Sequence, residues 1–273
     1  MTDRRLWRSN GRVAHSSLVG QVGETPLTDG EVLGVRVPVA NLLAEPDGAL
    51  DRQLIHGDRF RVLETRNGYA FGFAEPSGYV GYIKTSHLVA ADALTHRIQT
   101  FGAHLYPTRS IKTVPAMTLP FDSFLTCKEQ KDGFWKTPHG YVPEQQVIAI
   151  DTLQQDTATT ALRFLGVPYL WGGDSSFGID CSGLVHAALR AAGLACPRDS
   201  DQQEAFFDAV PDNGPLQRGD LVFWKGHVGM MLDGERLIHA NGHHMCTTVE
   251  PLEVVAARIK AAEGKDVSAY RRP

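Results

Sequence analysis

Over the first 150 residues the apolar positions fall in short runs that alternate with polar ones or mix aromatic and β-branched residues. Arg59-Phe-Arg-Val-Leu63 and Gly78-Tyr-Val-Gly-Tyr-Ile83 are typical. Turn formers punctuate them: Pro46-Asp-Gly48, Asn67-Gly68 and Pro76-Ser-Gly78. This pattern predicts short strands joined by tight turns. The segment before Glu31, rich in Gly, Ser and charges, predicts an irregular extension. Beyond residue 150 the period changes. Leu153, Ala158, Ala161 and Leu165 are spaced for one face of a helix over 151–165. Leu184, Ala187, Ala188, Ala191 and Ala192 predict a second helix, with Asp180 at its N-cap position and Gly193 as its stop. Gly219-Asp-Leu-Val-Phe-Trp224, His227-Val-Gly-Met-Met-Leu232 and Arg236-Leu-Ile-His-Ala240 read as strands, the last two joined by a turn at Asp233-Gly-Glu235.

Composition narrows the function classes. With 273 residues, 42% hydrophobic and 21% charged, the chain can bury sizeable cores and suits about two or more domains. A net charge of −4 argues against nucleic-acid binding, because a phosphate backbone rewards clustered Lys and Arg. No stretch approaches the roughly 20 apolar residues that span a bilayer, so no membrane partner is expected. No apolar run follows the arginines of Met1 to Asn10, as a secretory leader requires, and a cytoplasmic location is expected. The four cysteines, Cys127, Cys181, Cys196 and Cys246, form no C-x-x-C pair and no disulfide framework.

A weak repeat with a period of about 60 residues runs through the first half. Gly81-Tyr-Ile-Lys-Thr-Ser-His-Leu88 parallels Gly140-Tyr-Val-Pro-Glu-Gln-Gln-Val147, and Ala40-Asn-Leu-Leu-Ala-Glu-Pro46 parallels Ala103-His-Leu-Tyr-Pro107. The Gly-aromatic-aliphatic ending resembles the close of a bacterial SH3 domain. It implies two small all-β SH3-like barrels, over 31–90 and 91–150, after an extension at 1–30.

One cysteine stands apart. Cys181 opens a helix, where unpaired N–H groups and the positive end of the dipole favour a thiolate. A nucleophile also needs a base and a group to orient that base. His227 and His239, on neighbouring strands, are candidates. A two-residue turn would pair Leu232 with Glu235 and put the histidines on opposite faces. A three-residue turn at Asp233-Gly-Glu235 pairs Gly229 with His239 and makes His227 a diagonal neighbour on the same face. The catalytic reading therefore demands an odd-length loop or a bulge. A zinc site from His239, His243, His244 and Cys246 is disfavoured because the spacing matches no common zinc pattern. No metal and no cofactor is implied.

Tyr169-Leu-Trp-Gly-Gly173, Asp180-Cys-Ser-Gly-Leu184, Leu216-Gln-Arg-Gly-Asp-Leu-Val-Phe223, Gly226-His-Val-Gly229 and Ile238-His-Ala240 resemble, in order and spacing, the NlpC family of cell-wall cysteine peptidases. The resemblance implies an α+β fold: a papain-like catalytic domain at 151–273, preceded by the two barrels. It implies Cys181 as nucleophile, His227 as base and His239 as orienter. The Cys181 N–H and the Tyr169 hydroxyl would form the oxyanion hole.

The whole arrangement is similar to γ-D-glutamyl-L-diamino acid endopeptidases that act on free murein peptides. That implies cleavage of L-Ala-γ-D-Glu from diaminopimelate or lysine, a substrate with a free N-terminal L-Ala, and a role in murein peptide recycling. The first barrel would close one end of the groove. Asp180, and Asp51 with Tyr79 of that barrel, are candidates for the ammonium. Ser182, Trp171, Asp199 and Ser200 are candidates for the γ-D-Glu portion, although Ser200-Asp-Gln-Gln203 also resembles a helix start. Two alternatives compete: an exported hydrolase acting on intact peptidoglycan, and a non-catalytic protein that binds wall peptides. The sequence leaves the oligomeric state open.

Overall fold

The computed structural model describes residues 3–75, 77–211 and 214–273. Pro76, part of one predicted turn, lies outside them. The chain divides into two compact units, Met1–Thr152 and Leu153–Pro273.

In the first unit, seven strands build one sheet that closes around a core. They are β1 (Glu31–Val35), β2 (Val39–Leu43), β3 (Leu50–Ile55), β4 (Arg59–Arg66), β5 (Tyr69–Glu75), β6 (Val80–Lys84) and β7 (Leu88–Ala90), in the order β3-β2-β6-β5-β4-β1-β7. Asn67 and Gly68 both have positive φ, +49° and +80°, so the two-residue loop between β4 and β5 takes the primed turn that matches strand twist. Phe60, Ala70, Ala74 and Ile83 fill the core. β5 is buried on both faces. Its outer residues Phe71 and Phe73 pack with Leu63, Val80 and Val13, the last contributed by the extension. The Arg8 guanidinium stacks on Phe73 at 4.2 Å, Val80 N–H donates to the Arg5 carbonyl at 2.7 Å, and Arg12 pairs with Glu64 at 2.6 Å. The extension is thus a folded cover for an apolar outer face.

Residues 96–149 form three small sheets around Ile98, Leu105, Leu119, Leu125 and Val142. The two repeated endings have the same local form: strand, 3₁₀ turn (Thr85–His87 or Glu144–Gln146), then a strand opening on buried Leu88 or Val147. Cys127 is packed in this core, and burial pushes its thiol up to about 12.

Among its described residues the second unit carries four helices, α1 (Thr157–Leu162), α2 (Cys181–Ala191), α3 (Ser200–Phe206) and α4 (Leu252–Glu263). Its main sheet has six strands, β8 (Asp208–Ala209), β9 (Leu221–Trp224), β10 (His227–Met231), β11 (Arg236–Asn241), β12 (Cys246–Pro251) and β13 (Ala269–Arg272), in the order β8-β13-β9-β10-β11-β12. α4 covers one face through Val255, which packs with Val222, Trp224, Met231 and Leu237. α2 packs against β10 and β11. All of its residues except Arg190 are buried. Each buried Leu or Val there contributes about 1.5–3 kcal/mol, so the position of its first residue is firmly fixed.

The helix expected over 151–165 is shorter. Asp156 is its N-cap and accepts hydrogen bonds from the N–H groups of Ala158 and Thr159. Leu153 and Leu165, assigned to the apolar face, lie outside the helix and are exposed, while Ala158 and Ala161 are buried. The helical spacing was real only between those two alanines. A side-chain cap at Asp156 satisfies the first N–H groups there, and this sets where the helix begins. Among the described residues, no helix is long and apolar enough to cross a membrane.

Candidate active site

The first turn of α2 is built by charge and close packing. Asp180 is its N-cap, and its Oδ1 accepts from Gly183 N–H at 2.7 Å and from the Ser182 hydroxyl at 3.3 Å. Its Oδ2 accepts from Gly172 N–H at 2.8 Å and from Arg198 at 2.9 Å. Arg198 is fully buried; it also bonds Asp174 at 2.9 Å, Ser182 Oγ at 2.8 Å and the Gly173 carbonyl at 3.0 Å. A Cβ on Gly183 would lie 2.3 Å from the Gly173 oxygen, so glycine is what lets the 169–173 loop sit on the helix start. α3 is tied in through Gln203, whose amide donates to the Ser182 carbonyl at 3.0 Å and the Pro197 carbonyl at 2.9 Å.

Cys181, buried, is the first residue of α2. The backbone N–H groups of Val228 and Ser182 favour its thiolate, which puts the sulfur near the start of β10, where His227 immediately precedes Val228. Burial, then the Asp180 charge, push the thiol up to about 12, against those N–H groups and Arg198. The helix start was expected to favour a thiolate. In the substrate-free site desolvation outweighs it, and Cys181 rests as a thiol.

The strand pairing settles the geometric condition set by the sequence. Met230 faces Ile238 and Met231 faces Leu237 across β10 and β11, and Leu232 N–H bonds the Arg236 carbonyl. The loop is therefore the three-residue Asp233-Gly-Glu235. One step further in this register, Gly229 stands opposite His239, with His227 diagonal to it on the same face. The two imidazoles bond at 2.8 Å, His227 Nε2 to His239 Nδ1. A Cβ on Gly229 would lie 2.3 Å from a Leu237 methyl and 3.4 Å from His239 Cβ, so a larger residue would disturb the pair. His227 is half-buried and His239 fully buried. Burial and the neighbouring His239 push His227 down to about 3. His239 is lowered chiefly by burial and partly restored by Glu250.

Behind His239 stands a carboxylate that the sequence analysis missed. Glu250 Oε2 lies 2.9 Å from His239 Nε2. Arg258 of α4 grips both Glu250 oxygens, at 2.6 and 2.8 Å, and holds that carboxyl down at about 2. The same diagonal rule that joined His227 to His239 finds Glu250, because His239 faces Thr248 across β11 and β12. Arg198 was also missed. The signal was its place beside Asp199 and Ser200 in a block already under scrutiny.

The remaining candidates divide. Tyr169 is half-buried, and its hydroxyl is raised by burial and by the charges of Cys181 and Asp180, which places it near the thiol. Trp171 is 69% exposed in the same loop. Ser182 is buried, its hydroxyl committed to Asp180 and Arg198. The four hydrogen bonds to Asp180 fill its acceptor positions, so an ammonium could bind it only by displacing one of them. Asp199 is the cap residue of α3, which Ser200 opens, so that helix starts one residue earlier than the Ser200 cap reading. Asp51 and Tyr79 belong to the first unit. Asp51 there pairs with Arg4 at 2.7 Å, and Tyr79 is buried in the barrel core beneath Arg52. His244 bonds the Asn241 side-chain oxygen through its backbone N–H at 2.9 Å and faces Glu250 at 3.6 Å.

Residues 166–257 match the model of the NlpC/P60 family, and residues 42–88 match that of the bacterial dipeptidyl-peptidase SH3 domain. A Bacillus subtilis protein named gamma-D-glutamyl-L-lysine dipeptidyl-peptidase is 32% identical over 71% of this chain and 73% of its own length. Dipeptidyl-peptidase 6 of Lysinibacillus sphaericus is 28% identical over 74% of this chain and 85% of its own. The crystal structure of an NlpC/P60 family protein from Bacillus cereus superposes with a TM-score of 0.75 at 21% identity, covering 89% of this chain and 99% of that one. It shares the α+β fold.

Proposed function

The chain belongs to the NlpC/P60 family of cysteine peptidases, and from that premise we propose that it hydrolyses the γ-D-glutamyl-L-diamino acid bond of free murein peptides, with Cys181, His227 and His239 as its triad. One observation carries the assignment of roles. The Cys181 thiol lies beside the start of β10, and the first residue of that strand, His227, is hydrogen-bonded to His239. The names of the relatives support the substrate class.

Since thiol and imidazole both rest neutral, the proton moves as the bond forms. The Sγ–H proton passes to His227 Nδ1 while sulfur attacks the γ-carbonyl carbon. The oxyanion is held by the Cys181 N–H, one of the first-turn groups without an intrahelical partner, and by the Tyr169 hydroxyl. The C–N bond then breaks, and the imidazolium gives its proton to the departing α-amine of the diamino acid. Water loses a proton to His227 and attacks the thioester. The thiolate leaves and recovers that proton.

We further assign residues 91–150 as a second SH3-like module and place the reaction in cytoplasmic peptide recycling, on substrates with a free N-terminal L-Ala. Mass-spectrometric digests of L-Ala-γ-D-Glu-diaminopimelate, its lysine counterpart and their N-acetylated forms test this reading. Release of L-Ala-γ-D-Glu from the free peptides alone is expected. Equal cleavage of acetylated forms would favour the wall hydrolase, and no cleavage would favour a binding protein. Cys181→Ala should abolish turnover while keeping the melting temperature and substrate binding; an active variant would refute the nucleophile.

A further inference from the structure

Taken with the proposed triad, on which this inference rests, the strand register and the α4 contacts extend the site by two residues. We infer that Glu250, clamped by Arg258, is a positioning residue that selects the His239 tautomer and, through it, the His227 tautomer that can accept the Cys181 proton.

The argument is one of donors and acceptors. A neutral imidazole carries one N–H and one acceptor nitrogen. Two groups compete for His239 Nε2. The Glu250 carboxylate, 2.9 Å away, can only accept. The Asn241 amide nitrogen, 3.2 Å away, can only donate; its two hydrogens are also drawn to Thr248 Oγ1 at 2.9 Å and to the carbonyls of His239 and Cys246 at 3.4 and 3.5 Å. The nearer, charged acceptor prevails, and His239 carries its proton on Nε2. Its Nδ1 is then an acceptor, so His227 must donate from Nε2 across the 2.8 Å contact. That leaves His227 Nδ1 unprotonated, as a general base requires. Had Asn241 prevailed, every step would reverse, and His227 would present an N–H where it needs a lone pair.

Arg258 keeps the selection in force. Its two bonds fix the plane of the carboxylate and keep it ionised. The groups facing this relay are His227 on β10, Glu250 on β12, Arg258 on α4 and His244 from the 242–245 loop, with the Lys265 charge also felt at His227. When His227 takes the thiol proton, Glu250 is the one negative group in this set, so it also stabilises the imidazolium that forms.

Long-range proton–nitrogen NMR correlations on the substrate-free wild type read the tautomers directly. Both His227 and His239 should carry their protons on Nε2; an Nδ1–H tautomer at His239 overturns the inference. In Glu250→Gln, the amide turns its oxygen to Arg258 and its NH₂ to His239, so both tautomers should flip. kcat should fall roughly 10–100-fold with KM within about twofold, and the acid limb of the kcat profile should move to lower pH. Unchanged tautomers and pH profile in this variant would also overturn the inference. Should Glu250→Gln fail to fold, Arg258→Gln serves: it should keep the tautomers and lose several-fold in kcat, and an unchanged kcat counts against the clamp. Because the tautomers are read without substrate, failure of the wild type to cleave murein peptides would refute the proposed substrate and leave the relay standing.

Discussion

Two arginine–carboxylate assemblies flank the reacting groups, and they are built to different specifications. At the start of α2, Arg198 has no exposed side-chain surface and joins Asp174 and Asp180, themselves almost wholly buried. Behind the histidines, Arg258 keeps 22% of its side chain exposed and Glu250 keeps 13%. The first assembly holds backbone: the loop at 172–173 and the opening turn of the helix. The second holds a side chain, the His239 imidazole. Burial decides how each loss would register. A carboxylate stranded in the interior is costly to the fold, whereas one near water can be solvated and leaves chiefly a misdirected imidazole.

The sharpest way to break this contrast is to remove each arginine in turn. Arg198→Met should destabilise the catalytic unit by about 3–5 kcal/mol, read by chemical denaturation, because Asp174 and Asp180 lose their buried cation together. Removing Arg258 should cost no more than about 1 kcal/mol, the scale of a partly exposed pair. Equal losses would show that burial does not separate the two assemblies.

Acid should act next. His227 is held at about 3 when folded against 6.5 when unfolded, and Glu250 at about 2 against 4.5. Both native values are depressed, so the unfolded chain binds protons first and stability falls as pH drops. The loss from His227 begins below 6.5 and runs to about 3; that from Glu250 begins below 4.5 and runs to about 2. His56 in the first unit, held at about 4 by burial, adds to the fall. Melting temperatures across this range should decline, less steeply in His227→Gln, and a flat curve in wild type would refute the neutral resting histidine. The smallest signal concerns the thiol. The 240 nm difference spectrum between wild type and Cys181→Ala should show no thiolate at neutral pH, and thiolate absorbance there would mean that the helix start outweighs burial after all.

The parts of this molecule legible in its sequence are those where one local rule dominates. Asp180 as cap and Gly193 as stop follow from near-neighbour geometry, whereas the turn between β10 and β11 stayed open between two and three residues until the strand pairing gave the odd length that the catalytic reading demands. Asp156 shows the limit: a cap five residues inside a plausible apolar pattern shortens the helix, and the pattern alone could not reveal it. Arg198 and Glu250 escaped for another reason. Each acts on a residue distant in sequence or across a second strand pairing, and charged residues in a sequence read first as solvated surface. The unbroken apolar run Tyr69-Ala-Phe-Gly-Phe-Ala74 did carry a signal. A strand without alternation needs cover on both sides, and the cover came from the segment read as irregular.

That cover has a practical meaning for anyone dividing the chain. The repeated motif begins near Glu31, yet the folded body begins before it. A protein cut at residue 31 would present Phe71, Phe73, Leu63 and Val80 to water as a continuous greasy surface, with Arg8 and Val13 gone from above it. Such a fragment should keep its strands and lose its solubility, so the natural place to cut is where the outer layer ends rather than where the repeat starts.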